Sequence, residues 1–198
     1  MNSKQKLVSK LASVVIALCL AGGLWLVFAR RSSSSAAAPQ ETLRRELVQK
    51  DGRWYRRGDT HPFTGTMADY SPGGARLSLC QVSNGLLNGL SQTWYTNGQL
   101  EVSEHFKDGV SDGFREKWYP NGTRLSQATI VEGKVTGTFQ SWHDNGQLSE
   151  QIEMKLGKPD GIAWAYYPSG FLKAETTVQE GQILERKLWK DGERRLVR

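Results

Sequence analysis

Side chains able to do covalent or metal chemistry are few in this chain of 198 residues, and they do not cluster. Catalysis needs a nucleophile or base held within reach of partners, and a metal site needs converging ligands. His61, His105 and His143 stand far apart, with no HxxE, HExxH or CxxC spacing around them. His143 falls where other stretches of the chain carry tyrosine, and His61 precedes Pro62 in an opening loop, so both read as structural. Glu101 with Glu104, or Glu150 with Glu153, would suggest the paired acids of a glycoside hydrolase. An odd spacing on a strand sends such a pair to opposite faces, and solvated positions explain them better. Of two cysteines, Cys19 lies in an apolar run and Cys80 far beyond it, so no intrachain disulfide is expected and Cys80 reads as a small buried apolar residue. The glycines form neither GxGxxG nor GxxxxGK before a helix, which makes them turn formers and not a phosphate cradle. Asn121-Gly122-Thr123 has the letters of a glycosylation sequon but falls in a repeating turn. These residue types predict no enzyme, no cofactor and no metal.

What positions these residues is a repeat. Glycines at 74, 98, 122, 146 and 170 recur every 24 residues, and so do those at 65, 89, 113, 137 and 161 and those at 85, 109, 133, 157 and 181. An aromatic position keeps the same step through Tyr70, Trp94, Trp118, Trp142 and Tyr166. Its neighbour reads Ser71, Tyr95, Tyr119, His143 and Tyr167. In residues 93–113 an aromatic strand leads into Asn97-Gly98, a dipeptide that tolerates the positive φ angles of a tight hairpin turn. Asn121-Gly122 and Asn145-Gly146 repeat it, and Ser169-Gly170 is a weaker version. Apolar residues then alternate, as in Leu100, Val102 and Phe106 or Leu148, Ile152, Met154 and Leu156, which is the pattern of a half-buried return strand. A second glycine-rich turn, KDGVSDG in this unit, closes it. Two strands of about seven residues and two turns account for the period without a helix. The expected fold is an all-β repeat array, an elongated antiparallel meander of hairpins in which each unit is propped by its neighbours.

The motif WYxNGQL, the DG and NG turns, and the opening DGRWY followed by HPFTG resemble the bacterial MORN-variant repeat family, whose members are often labelled antitoxin-like. The likeness covers about residues 46–193. It implies MORN-like hairpins serving as an interaction module.

Ahead of the array, Lys4, Lys6 and Lys10 precede an uncharged stretch from Leu11 to Ala29, and Arg30 and Arg31 follow it. As a helix that stretch would span roughly 28 Å, close to a bilayer core. Residues 1–31 therefore read as one N-terminal transmembrane or signal-anchor helix, with cleavage as a signal peptide near Cys19-Leu20-Ala21 as the alternative. Residues 32–45, containing SSSSAAAP, read as a flexible linker, and 46–198 as the repeat domain. Within that domain an opening hairpin is expected at 46–65, units to about 184 and a C-terminal cap at 185–198, where Arg194, Arg195 and Arg198 discourage further edge pairing. A short basic tail usually stays in the cytoplasm, which puts the array outside it, in a periplasm or at a cell surface.

Charge narrows the partners. The net of +6 sits in residues 1–50, which hold eight basic and two acidic side chains, and the remainder holds 18 of each. A neutral array is a poor polyanion binder, which excludes nucleic acid, and it lacks the polybasic attraction that anionic lipid rewards. The function expected is a non-enzymatic, membrane-tethered scaffold for a protein partner, with cell-wall or glycan binding, lipid contact or antitoxin-like neutralisation as alternatives. Trp94, Trp118, Trp142 and Tyr166, with Gly98, Gly122, Gly146 and Gly170, are expected to form the structural repeat core. Tyr95, Tyr119, His143 and Tyr167 form a candidate partner-binding stripe of amphipathic rings.

Overall fold

Glycine spacing becomes strand pairing in the computed structural model, which describes residues 40–194. In chain order the strands are β1 (Glu41–Leu43), β2 (Leu47–Lys50), β3 (Arg53–Arg56), β4 (Gly65–Tyr70), β5 (Arg76–Ser83), β6 (Leu86–Trp94), β7 (Leu100–Lys107), β8 (Val110–Trp118), β9 (Arg124–Val131), β10 (Lys134–Trp142), β11 (Leu148–Lys155), β12 (Lys158–Tyr166), β13 (Leu172–Gln179) and β14 (Gln182–Leu188). From β4 to β14 each strand lies beside the next and antiparallel to it, and β1 joins the free edge of β4 in parallel to complete a twelve-stranded sheet. β2 and β3 form a separate hairpin. Among the described residues no helix is long and apolar enough to cross a membrane, and the expected anchor at residues 1–31 lies outside them.

The three glycine registers do three different jobs. One makes two-residue hairpin turns: Asn84-Gly85, Asp108-Gly109, Glu132-Gly133, Leu156-Gly157 and Glu180-Gly181, where both members have positive φ. Such turns match the right-handed twist of their flanking strands. At the other end of each unit only the glycine is left-handed, as at Gly98 with φ 85, after a tight turn closed by Gly98 N–H on Tyr95 O at 2.9 Å. The asparagine before it is selected by its side chain instead, since Asn97 Oδ1 accepts the Gln99 N–H at 3.0 Å and Asn121 and Asn145 repeat the bond. The expectation that both members of the Asn-Gly pair supply positive φ thus holds for the glycine, while the turns that need it twice lie at the opposite end.

The third register sits inside strands, not in turns. KDGVSDG divides into a turn at Asp108-Gly109 and a strand segment, so β5 to β13 run eight and nine residues alternately. Around Gly89, Gly113, Gly137 and Gly161 the pairing slips, so that three residues of one strand face a single residue of the preceding one. A slip of this kind bends the strand and raises its local twist. These glycines, and Gly65 in the same register, each lie opposite an apolar residue on the next strand: Gly65 meets Val82, Gly89 meets Phe106, Gly113 meets Ile130, Gly137 meets Met154 and Gly161 meets Val178. Missing side chains on one strand give room to large apolar ones on the other. Val82, Ile130 and Val178 are buried on that account, with Ile130 only 2 % exposed.

The first unit is closed by the opening hairpin. Leu47, Phe63, Met67, Cys80 and Val82 form one buried cluster, with Trp54 and Leu87 packed against it. Trp54 N–H donates to Gly85 O at 2.8 Å, and Gly85 N–H to Phe63 O at 2.7 Å, tying this hairpin to the first turn of the array. The sheet itself starts earlier, at Glu41, inside the stretch that composition suggests is linker. Thr42 is buried and its hydroxyl accepts from Arg56 Nη2 at 2.8 Å, while Glu41 takes Arg76 at 2.8 Å and the Tyr70 hydroxyl. Three residues, ETL, carry too short a pattern to announce a strand, and long-range partners create it. At the far end β14 is a full strand that runs across the expected cap boundary at 184 and 185.

Candidate interaction surface

Stapling between units decides which side chains are left to meet anything else. Tyr95 donates its hydroxyl to Trp118 O at 2.8 Å, Tyr119 to Trp142 O at 2.9 Å and Tyr167 to Trp189 O at 3.1 Å, and His143 Nε2 pairs with Tyr166 O at 3.0 Å. Beside them Asn97, Asn121 and Asn145 donate Nδ2 to Pro120 O, Asp144 O and Pro168 O at 2.8, 3.0 and 2.8 Å. Each bond reaches the same point one unit ahead. At the opposite turns, Gly109, Gly133, Gly157 and Gly181 donate N–H groups one unit back, to Leu87 O, Ser111 O, Val135 O and Pro159 O. The tyrosine stripe is therefore half-buried, and its polar ends are committed to backbone. Burial first, and the Glu101 charge second, push the Tyr95 phenol up in pKa.

The aromatic column lies in the open. Trp94, Trp118, Trp142 and Tyr166 are half-buried at the ends of β6, β8, β10 and β12, and among the described residues the second sheet, the β2–β3 hairpin, packs only against the first unit. The fully enclosed side chains are others, chiefly Ile130 and Leu172. Two residues before each aromatic, alternation puts Gln92, Glu116, Gln140 and Trp164 on the same face. Their cross-strand partners continue the row: Glu116 pairs with Gln127, Gln127 with Gln140, and Gln140 with Gln151. The amides are chained, Gln127 Nε2 donating to Gln140 Oε1 at 2.6 Å and Gln140 Nε2 to Gln151 Oε1 at 2.9 Å. Trp164 Nε1 donates to Glu175 Oε2 at 3.3 Å on the paired strand β13. An aromatic column thus runs beside a polar ladder.

Between the aromatics a third position alternates. Arg76 lies 5.7 Å from the Tyr70 ring centre and 5.8 Å from that of Trp94, and Arg124 lies 5.4 Å from that of Trp142. Arg124 also binds Glu116 at 3.1 Å and Gln127 at 3.1 Å, so it crosses from column to ladder. One unit on, Leu148 takes that position, and there a hollow of about 340 Å³ opens, lined by Gln140, Trp142, Gly146, Gln147, Leu148, Tyr166 and Gly170. Rings, amides and a short aliphatic chain meet in it. This chemistry suits the mixed apolar and amide surface of a polypeptide.

Groups able to do covalent chemistry stay apart. Cys80 is buried with Sγ 3.1 Å from Ser91 Oγ, His61 Nδ1 lies 3.4 Å from Thr60 Oγ1, and Glu150 and Glu153 pair with Ala165 and Thr138. Among the described residues no three His, Cys, Asp or Glu side chains converge as metal ligands. Sequence reasoning found the aromatic column and missed the glutamine ladder. Its signal was present, since Gln92, Glu116 and Gln140 keep the step of 24, as do Ser103, Gln127 and Gln151.

A family model described as MORN repeat variant matches residues 87–108 and 135–156, two stretches that hold the same part of the unit two periods apart. These matches support a MORN-repeat family for the array. Repeats of that kind commonly mediate protein or membrane-lipid interactions on a scaffold that is generally non-catalytic. No curated protein matches the chain.

Proposed function

We propose that this chain is a non-enzymatic scaffold that binds a protein partner through the face carrying Trp94, Trp118, Trp142 and Tyr166, and that its N-terminal segment tethers it to a membrane. The observation that carries the reading is the hollow between Trp142 and Tyr166, where rings and the Gln140 and Gln147 amides stand together on an uncovered face. Aromatic rings of this kind are enriched where proteins meet, and the glutamine amides can both donate to and accept from backbone groups of a partner. The tyrosine stripe borders this face at the Asn-Gly turns and offers ring area, since its hydroxyls are already bonded. In the same reading the array lies outside the cytoplasm.

The deciding comparison is binding of a partner, identified by a photo-crosslinker at Gln147, to three versions of the protein. Trp142→Ala with Gln140→Ala together should weaken binding at least tenfold, and Tyr119→Phe should leave it within twofold. Undiminished binding by the double variant rejects this face. Crosslinks to wall polysaccharide in place of protein would support the glycan reading instead.

A further inference from the structure

β14 ends the sheet, and all seven of its residues are exposed. Three are apolar, with Ile183 and Leu184 each 62 % and Leu188 66 % accessible. An open edge bearing such side chains is a template for another strand. Among the described residues only β13 pairs with β14, and just beyond the strand Trp189 N–H donates to Lys173 O at 3.1 Å on the same side. The pairing is regular from Arg186 to Leu188, so alternation aims the backbone groups of Arg186 and Leu188 away from β13. Arg194, one of the residues expected to guard this edge, is folded back, its carbonyl accepting Leu172 N–H at 2.8 Å and its guanidinium 4.8 Å from the Trp189 ring centre. Arg195 and Arg198 lie outside the described residues.

We infer that β14 pairs with β14 of a second copy of this chain, antiparallel about a two-fold axis at Arg186. Cross-strand partners share a face, so a two-fold pair of identical strands must be centred on a residue and not between two. Centring on Glu185 would set Glu185 on itself, Leu184 on Arg186 and Ile183 on Lys187. Centring on Lys187 would set that lysine on itself and Arg186 on Leu188. Centring on Arg186 sets Glu185 against Lys187 twice and Leu184 against Leu188 twice. It juxtaposes two Arg186 side chains, which are exposed and there screened by salt. Within one copy Lys187 already lies 3.4 Å from Glu185 and 3.7 Å from Glu175, so the pairing extends an existing run of alternating charge and brings Leu188 of each copy up to the bulge at Leu184 of the other. Outward backbone groups of Arg186 fall at the axis, where each strand can donate to and accept from its mate.

The test is sedimentation equilibrium of the full chain in mild detergent. The wild type should show a concentration-dependent dimer. Glu185→Lys and Lys187→Glu should each lower association at least tenfold, and an equimolar mixture of these two variants should restore it, because each supplies the charge the other lacks. Arg186→Pro removes the outward N–H while leaving the ladder to β13, so it should abolish the dimer with an unchanged melting temperature. A monomeric wild type overturns the inference. So does undiminished association of Glu185→Lys and Arg186→Pro, which would place the contact elsewhere, for instance in the apolar N-terminal segment. Failure of the mixture to re-associate overturns the register.

Discussion

Replacing two equivalent glycines by alanine should give unequal losses. Gly113 has φ 128, and a Cβ built on it would stand 3.0 Å from Cβ of His105, an atom fixed to its own backbone and unable to swing aside. Gly137 occupies the same register with φ 76, inside the left-handed well, and a Cβ there meets nothing within 4 Å. Alanine in the left-handed well costs about 1–2 kcal/mol. Against this the less flexible unfolded chain returns about 0.4–1 kcal/mol, leaving Gly137→Ala roughly 0.5–1 kcal/mol less stable than wild type. At Gly113 the wider φ falls outside that well, at about 1–3 kcal/mol. Crowding against His105 adds about 1–3 kcal/mol more, as for other overpacked sites. Gly113→Ala should therefore lose about 2–5 kcal/mol. With a urea slope of about 2 kcal/mol per molar, the midpoint should fall by roughly 1 M or more, against a few tenths for Gly137→Ala. Tryptophan fluorescence reads the transition through Trp118 and Trp142. Equal losses, or a larger one at Gly137, would refute the claim that the bulge glycines are required by the neighbouring side chain as well as by backbone conformation.

Three further outcomes follow from individual contacts. Tyr119→Phe should lower stability by about 1 kcal/mol through loss of the bond to Trp142 O, seen as a lower melting temperature, whereas a pure contact residue would show no change. Leu156→Asn should raise stability by a few tenths of a kcal/mol in thermal melts, because Leu156 holds φ 49 at 64 % exposure and asparagine tolerates that conformation better. Burial pushes the Glu150 carboxyl up in pKa, so its charged form is disfavoured in the fold. The stability linked to that proton is full below the ordinary carboxylate range and is lost as pH rises through the raised value. Glu150→Gln should therefore melt higher than wild type at pH 7 and match it near pH 3, and equal curves at pH 7 would count against burial of the charge.

Period, strand direction and aromatic column were legible because each rests on residues that repeat. What each glycine does was not. Gly109 and Gly113 lie four apart in KDGVSDG and look like one turn, but the first closes a hairpin and the second bends a strand beneath Ile130. Glu132 and Leu156 adopt positive φ without any propensity for it, imposed by the two-residue turn that neighbouring units enforce. The reach of Asn97 and Tyr95 to the next unit needs the spacing of units in space, which a string of letters does not contain. β1 escaped notice for the opposite reason, since Glu41–Leu43 pairs with β4 through contacts that only the fold creates.

The staples carry a consequence for how such a chain comes into being. Tyr119 and Trp142, or Gly133 and Ser111, are the kind of partners the array uses from β6 onward, about one period apart along the chain. β-Proteins are ordinarily slow because strands must wait for distant mates. Here each newly made hairpin finds its support already folded immediately behind it. Such a chain can zip up in the order of its synthesis, one unit at a time, without a long exposed intermediate.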